Sequence, residues 1–172
     1  GEHIGPQASR NLNICAVVMD NGVYGLTKGQ SSPTTKTGTI TSSTPYGKLE
    51  AQINPLELYL ALGVSFVASG FSSQPRPLAN LIKRGMEHQG FAIVHVQSPC
   101  TTYNDTYEEL KGDPKKGIEP ALWPVPEEHD PPDRAAAHGP RRPRRRLQGG
   151  PAWHHAGRQH RGSDRTFASR VA

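Results

Sequence analysis

The sequence predicts an α/β fold with an open, mostly parallel sheet, followed by a disordered basic tail. Short apolar runs alternate with segments of helical spacing along residues 13–96, an order typical of sheets with helices on their faces. A change of charge divides the 172 residues, because residues 1–130 carry a net charge of −3 whereas residues 131–172 hold ten Arg and two Asp, a net charge of +8. We therefore expect a partial domain over residues 1–130 and a separate tail over residues 131–172.

Three apolar runs predict the strands of the sheet. Residues 13–20 form a continuous apolar run that ends in Asp20, which fits a strand buried on both faces. Shorter runs at residues 64–68 and 91–96 predict the second and third strands. In open α/β sheets, ligands bind beyond the carboxyl ends of the strands. The two candidate sites are therefore the residues after Asp20 and those after Val96.

Two helices and a long loop connect these strands. Asn54 is a favourable N-cap and Pro55 suits the first helical position, so the first helix begins there and Gly63 ends it. Apolar residues at helical spacing over residues 78–86 predict the second helix. Residues 25–48 are rich in Gly, Ser, Thr and Lys, which predicts a long loop of the kind that is usually functional or disordered.

One segment is specific enough to indicate a family. Residues 20–34 read DNGVYGLTKGQSSPT and resemble the diphosphate-binding segment of the beta subunit of 2-oxoacid:ferredoxin oxidoreductases, which are thiamine-diphosphate enzymes. Three later groups resemble the same subunit in the same order: Thr44-Pro45-Tyr46-Gly47, Asn54-Pro55, and Ser98-Pro99-Cys100 with Tyr103-Asn104-Asp105. The resemblance covers residues 1–110 and implies a partial sheet of the thiamine-diphosphate-binding type.

The residues after the first strand have the chemistry of a magnesium–diphosphate site. Asn21 offers a neutral oxygen at the end of the strand, the carbonyl of Val23 can reach the same ion if the chain turns sharply, and Gly22 permits that turn. An ordinary strand-to-loop turn is the alternative, because Asn-Gly is common in turns. The resemblance implies that Asn21 and Val23 are Mg²⁺ ligands. It also implies a set of cofactor-binding residues: Asn21, Val23, Tyr24, Gly25 and Leu26.

Two further residues have roles that the resemblance implies. Lys28 lies in the loop that approaches cofactor and substrate in the family, where a cation can pair with a 2-oxoacid carboxylate; a solvated loop lysine is the alternative. Cys100 stands where the family has one of four thiolate ligands of a [4Fe–4S] cluster, and a buried or unpaired thiol is the alternative. Cys15 lies within an apolar run and is interpreted as a core residue. Because one cysteine cannot hold a cluster, we expect the cluster only in the intact subunit.

One motif of the family is missing. The upstream Gly-Asp-Gly, whose Asp supplies another Mg²⁺ ligand, does not occur in this sequence. We therefore expect a chain truncated at its N-terminus, with weakened cofactor binding and little or no turnover in isolation. The glutamate that activates the cofactor belongs to the alpha subunit in the family, so no catalytic base is assigned to this chain.

The resemblance implies a function for the intact protein, the oxidative decarboxylation of a 2-oxoacid to an acyl-coenzyme A with electrons passed to ferredoxin. The implied partners are the alpha subunit, ferredoxin, the 2-oxoacid and coenzyme A. The implied cofactors are thiamine diphosphate, Mg²⁺ and the [4Fe–4S] cluster. A thiamine-diphosphate decarboxylase that does not use ferredoxin is an alternative. No apolar stretch approaches the roughly 18–20 residues that span a bilayer, and no signal peptide is present, so we expect a cytoplasmic chain without a membrane partner.

The tail suggests a rival function. Five Arg lie within residues 141–146, and such a run can bind nucleic acid or another anionic surface, which would make this a non-catalytic basic binding protein. Nucleic-acid binding is not expected, because the tail has no interleaved aromatic platform and no recognisable fold. Its abundance of Arg, Pro, Gly, Ala and His favours a GC-rich gene read out of frame after Asp133. The tail buries too little apolar surface to offset the cost of ordering its backbone, which predicts disorder.

Overall fold

The computed structural model describes residues 2–122 and the strand Ala168–Arg170. The predicted domain boundary after residue 130 and most of the tail predicted to be disordered, with its Arg-rich run, lie outside the described residues. Within that tail the structure describes Ala168–Arg170, which form a strand instead. The elements, in chain order, are α1 (Ile4–Arg10), β1 (Ile14–Asp20), β2 (Val23–Tyr24), β3 (Gln30–Ser31), α2 (Pro55–Ala61), β4 (Phe66–Phe71), α3 (Pro75–Glu87), β5 (Phe91–Gln97), α4 (Tyr107–Lys111), a 3₁₀ turn (Pro114–Lys116) and β6 (Ala168–Arg170).

The three predicted strands form a parallel sheet in the order β1-β5-β4, with β6 antiparallel on the outer side of β4. Both Asp20 of β1 and Phe71 of β4 align with Gln97 of β5. The carboxyl ends of all three parallel strands therefore meet at one edge of the sheet. The predicted α/β class is confirmed, and the residues that follow β1 and β5 are neighbours at this edge.

Helices cover both faces of the sheet. On one face α1 and α2 pack together, where Tyr59 and Leu60 share a core with Ile93. On the other face α3 places Leu78 and Leu81 against the second core cluster. Successive residues of β4 and β5 face opposite cores and are buried on both, which is why these strands read as continuous apolar runs.

The helix α2 begins and ends where the sequence predicts. Asn54 is its N-cap, and the Asn54 side chain accepts the N–H of Leu56 at 3.1 Å. Pro55 occupies the first helical position, where its missing N–H removes no helical hydrogen bond. Gly63 follows the helix with a φ of +82°, so the predicted stop is also confirmed.

The second strand and the helix after it are displaced from their predicted positions. β4 spans Phe66–Phe71 rather than residues 64–68, and α3 begins earlier than predicted, at Pro75. Gly70 falls between the strand predicted over residues 64–68 and the predicted helix, but it lies inside β4, and Leu78 packs directly on it. A Cβ at Gly70 would lie 2.9 Å from Leu78 Cδ1, so the glycine serves the contact between helix and strand rather than a turn.

The long loop contains a small element that the sequence does not predict. β2 and β3 form an antiparallel pair at the start of the loop, directly after the turn that follows β1. The short helix α4, after β5, is also not predicted. Within the part of the chain that the structure describes, no helix combines the length and the apolar character needed to cross a membrane.

Candidate functional site

The chain turns sharply at the carboxyl end of β1, where the sequence predicts a ligand site. Asn21 Oδ1 accepts the N–H of Val23 at 3.1 Å, and this hydrogen bond closes the turn. Gly22 has a φ of +69°, in the left-handed region that other residues rarely adopt. The sharp turn that the Asn-Gly pair predicts is therefore present.

Side chains from three parts of the chain hold the backbone of this turn. Asp20 Oδ1 accepts the N–H of Gly22 at 2.8 Å. Asn104, which follows β5, donates from Nδ2 to the carbonyl of Asn21 at 2.9 Å. Thr35 of the long loop donates from Oγ1 to the carbonyl of Gly22. Hydrogen bonds from within the protein therefore hold the conformation of the turn.

A buried polar chain lies beneath the turn. Asp20 Oδ2 is 3.3 Å from His95 Nε2, off the line of a regular hydrogen bond, while Thr34 Oγ1 donates to Asp20 Oδ1 at 2.8 Å. Burial disfavours the charged carboxylate, but the contact with His95 and the hydrogen bonds from Gly22 and Thr34 outweigh this effect and hold the pKa of Asp20 below its ordinary value. Burial, together with the charge of Asp20, raises the pKa of Tyr59 to about 12. Asp20 is therefore an anion directly below the turn.

The residues after the turn form a tight surface loop. The N–H of Gly29 donates to the carbonyl of Tyr24 at 3.1 Å, and that of Lys28 donates to the carbonyl of Gly25 at 3.1 Å. Lys28 has a φ of +67°, which is strained for a residue with a Cβ. Leu26 and Lys28 are exposed at the tip of this loop. These predicted binding residues thus lie on the surface beside the turn.

Cys100 approaches the same turn from the end of β5. A Cβ added at Gly25 would lie 3.6 Å from Asn21 Nδ2 and 3.9 Å from Cys100 Sγ, so Gly25 lies between the two side chains. The backbone N–H groups of Tyr103 and Thr102 point at the sulfur and lower the pKa of the Cys100 thiol. The site therefore combines neutral oxygen donors with a cysteine whose environment favours the thiolate.

This arrangement at the sheet edge corresponds to a known cofactor-binding domain. Residues 1–96 match the family described as "Thiamine pyrophosphate enzyme, C-terminal TPP binding domain". The chain belongs to this family. Within the TPP-binding domain, the matched residues include β1, the turn after it, the long loop and most of β5.

Relatives of this TPP-binding domain are oxidoreductase subunits. A 2-oxoacid:ferredoxin oxidoreductase subunit beta of Saccharolobus solfataricus is 42% identical over 105 residues, which are 61% of this chain and 34% of the relative. Subunit beta of 2-oxoacid:ferredoxin oxidoreductase 2 of Aeropyrum pernix is 38% identical over 135 residues, which are 74% of this chain and 43% of the relative. The chain thus spans less than half the length of these curated relatives.

A solved structure shows the same fold. The 2-oxoglutarate:ferredoxin oxidoreductase of Magnetococcus marinus, with 2-oxoglutarate, coenzyme A and succinyl-CoA bound, is similar with a TM-score of 0.69 and 42% identity. The similarity covers 80% of this chain and 45% of the solved one. It supports the prediction that the sheet is a partial version of the thiamine-diphosphate-binding fold.

The turn of the TPP-binding domain fits a magnesium ion that carries a diphosphate. Mg²⁺ prefers octahedral oxygen coordination and takes few ligands from the protein when phosphates and waters supply the rest. Asn21 Oδ1 accepts the Val23 N–H and retains a second lone pair, and the carbonyl of Val23 offers another neutral oxygen. Asp20 is already occupied, because protein groups contact both of its oxygens.

The cysteines of the chain do not fit an iron–sulfur cluster by themselves. The sequence contains two cysteines, whereas a [4Fe–4S] cluster takes four thiolates. Cys15 lies near the start of β1 and packs against α3, since a Cβ at Gly85 would be 3.0 Å from its sulfur, and burial raises the pKa of its thiol. Cys100 lies beyond the opposite end of the sheet. Among residues 2–122, no group of three or more His, Cys, Asp or Glu side chains could hold a metal ion.

The structure brings some of the predicted site residues together and separates others from them. Asn21, Val23, Gly25 and Cys100 meet at the turn, whereas Tyr24, Leu26 and Lys28 extend along the surface loop. Their binding roles stay predictions. Sequence reasoning gave no role to three residues that organise the site: Thr35, His95 and Asn104. His95 alone had a local signal, because it is an ionisable residue within an apolar run.

Proposed function

We propose that this chain is the part of a 2-oxoacid:ferredoxin oxidoreductase beta subunit that holds the diphosphate and Mg²⁺ of thiamine diphosphate. The family match, the beta-subunit relatives and the solved 2-oxoglutarate enzyme support this proposal. The intact enzyme would decarboxylate a 2-oxoacid oxidatively, transfer the acyl group to coenzyme A and pass electrons to ferredoxin. The observation that carries the proposal is the hydrogen-bonded turn over residues 21–23 at the carboxyl edge of the sheet.

The turn contributes position rather than reacting groups. Asn21 Oδ1 and the Val23 carbonyl would hold Mg²⁺, and Tyr24, Gly25 and Leu26 would line the path of the cofactor beside it. Thiamine diphosphate, when bound, supplies the nucleophile for decarboxylation. A turn held by hydrogen bonds within the protein would set the position of the cofactor and would lower the entropy cost of binding. No general base is assigned to this chain, and the alpha subunit is proposed to provide it.

Lys28 is proposed to bind the carboxylate of the 2-oxoacid. Its left-handed backbone costs about 1–2 kcal/mol relative to glycine, and strain of this kind occurs preferentially at functional sites. We expect Lys28→Gly to increase the free energy of unfolding by about 1 kcal/mol, because glycine relieves the backbone strain. In the intact enzyme, the same variant should increase the KM for the 2-oxoacid, because the cation is lost. Lys83→Met, at an exposed position of α3, is the matched control and should change neither quantity. An unchanged KM in Lys28→Gly would remove Lys28 from the substrate site.

Cys100 is proposed as one ligand of a [4Fe–4S] cluster in the intact subunit. The lowered pKa of its thiol supports this role, because the thiolate is the form that binds metal. Cluster absorbance and iron content of the intact subunit should fall in Cys100→Ala and persist in Cys15→Ala. A cluster that survives Cys100→Ala would contradict the assignment. The cytoplasmic location expected from the sequence, and ferredoxin as electron acceptor, stay predictions.

Cofactor affinity is the central test of the proposal. Thiamine diphosphate should be titrated calorimetrically at fixed Mg²⁺ into the intact beta subunit assembled with its alpha subunit. Asn21→Ala should weaken binding by about 10-fold or more, the effect typical of altering a metal site. Asn13→Ala changes an exposed asparagine just before β1, at the opposite end of the sheet, and should leave the affinity unchanged. Equal affinities for the two variants would refute the proposed site.

A further inference from the structure

His95 occupies a position that core packing does not explain. It lies in the middle of β5, fully buried between Val94 and Val96, where an apolar residue would fill the space without a desolvation cost. Both of its ring nitrogens face polar groups. Nδ1 is 3.3 Å from the hydroxyl of Tyr59, and Nε2 is 3.3 Å from Asp20 Oδ2. The ring therefore connects the helix α2 with the end of β1.

The two oxygens of Asp20 have different partners. Oδ1 accepts the Gly22 N–H and the Thr34 hydroxyl, both at 2.8 Å, whereas Oδ2 faces His95. A carboxylate rotates broadly about its last side-chain torsion unless both oxygens are held. The His95 ring lies against Oδ2, although its Nε2 is not aligned for a regular hydrogen bond, so protein groups contact both oxygens of the carboxylate.

We propose that His95 is a positioning residue of the candidate cofactor site, which acts through Asp20 to fix the turn over residues 21–23 and does not touch the ligand. This inference rests on the proposed function for its effect on affinity, but not for its effect on the turn itself. A Tyr59 hydroxyl that donates to Nδ1 leaves the ring proton on Nε2, where it faces the carboxylate. The side chains of α2, β5 and β1 then form one chain of contacts that ends at the Gly22 N–H.

Two substitutions separate the two sides of the ring. The amide nitrogen of His95→Gln reaches the place of Nε2 and keeps a donor toward Asp20, whereas His95→Asn is too short to reach it. In the cofactor-free chain, the Gly22 amide should exchange its hydrogen about 10-fold faster in His95→Asn, which corresponds to about 1.4 kcal/mol. Exchange in His95→Gln should remain close to that of the unaltered protein. His88→Asn, at the end of α3, is the control and should not change it.

The same variants are then compared for cofactor affinity in the intact enzyme. His95→Asn should weaken thiamine-diphosphate binding by about 10-fold, while His95→Gln stays within about 3-fold. Equal effects of the two variants on Gly22 exchange, or no effect of either, overturn the inference. A third outcome separates the two proposals. If Gly22 exchange is slow and depends on His95, but the protein never binds thiamine diphosphate, the positioning role is supported and the proposed function is refuted.

A measurement on the unaltered protein guards against variants that do not fold. The nitrogen chemical shifts of His95 in a ¹⁵N-labelled chain report which ring nitrogen carries the proton. A protonated Nε2 is expected. A bare Nε2 would leave Asp20 without a donor on that side and would overturn the inference without any substitution.

Discussion

Gly22→Ala imposes two separate physical costs on the turn. Gly22 has a φ of +69°, and a Cβ at this position would lie 2.7 Å from Asn104 Nδ2. The amide cannot move away freely, because it donates to the carbonyl of Asn21 at 2.9 Å. The substitution therefore strains the backbone and also displaces the side chain that connects the turn with the segment after β5.

Gly38 is a position where a Cβ would strain the backbone but would displace no neighbouring side chain. Its φ is +84°, and a Cβ there would meet no atom within 4 Å. Gly38→Ala should lower the free energy of unfolding by about 1–2 kcal/mol, the cost of a left-handed residue with a Cβ. Gly22→Ala should add about 1–3 kcal/mol, because the partly buried Asn21 carbonyl loses its donor. The expected total for Gly22→Ala is about 2–5 kcal/mol.

Urea unfolding of the full chain, followed by circular dichroism, measures both variants by linear extrapolation. Asn104→Ala supplies the decisive background, because it removes the side chain that the new methyl group would displace. In that background Gly22→Ala should cost only what Gly38→Ala costs, which a double-mutant cycle resolves. Equal costs for the two single variants would show that Asn104 does not constrain the turn and would refute the reasoning.

Three further predictions concern caps and buried charges. Asn54→Ala should lower the free energy of unfolding by about 1 kcal/mol because it removes a side-chain N-cap, whereas Gln74→Ala, at an N-cap without such a bond, should change it little; thermal denaturation compares them. The pKa of Asp20 is lower in the folded protein than in the unfolded chain. At pH values above the ordinary aspartate pKa, the ionised carboxylate therefore stabilises the fold. This stabilisation is lost as the pH falls through the lower pKa of the folded protein. The free energy of unfolding should therefore fall between about pH 5 and pH 2, and less steeply in Asp20→Asn. Lys48→Met should lower the free energy of unfolding, measured in urea, by about 1–3 kcal/mol, because the buried ammonium donates to two loop carbonyls. Lys83→Met, at an exposed position, should leave this free energy almost unchanged. Equal losses of stability in the two variants would contradict the prediction.

The sequence predicted correctly those elements whose ends are set by neighbouring residues. Asn54 and Pro55 cap and start α2 through groups within two residues of each other, so a single stretch of sequence contains the whole explanation. The strand predicted over residues 64–68 stops short of Gly70, which lies inside β4. Here its size is required by Leu78 on α3, a contact that no pattern along the strand reveals.

In the candidate site, too, features set by neighbouring residues were predicted, whereas features set by residues distant in sequence were not. The turn after β1 was predicted because Asn21 and Gly22 carry its geometry themselves. Asn104, which holds this turn from the segment after β5, lies 83 positions away from Asn21, and only its place in a motif of the resemblance distinguished it. Asp20 and His95 are ionisable residues in two separate apolar runs, and no local pattern pairs them, because their contact depends on the parallel register of β1 with β5.

The hydrogen bonds of the turn also decide how it can hold a diphosphate. Backbone N–H groups at the end of a strand often bind phosphate oxygens directly. Here the N–H of Gly22 is bonded to Asp20 and that of Val23 to the Asn21 side chain, so neither is left for an anion. The anionic Asp20 just below would also repel phosphate. The Asn21 side-chain oxygen keeps a second lone pair beside its hydrogen bond to Val23, and this lone pair can coordinate a cation. In the proposed site a divalent ion would therefore stand between protein and diphosphate, and the affinity for the cofactor should disappear when that ion is removed.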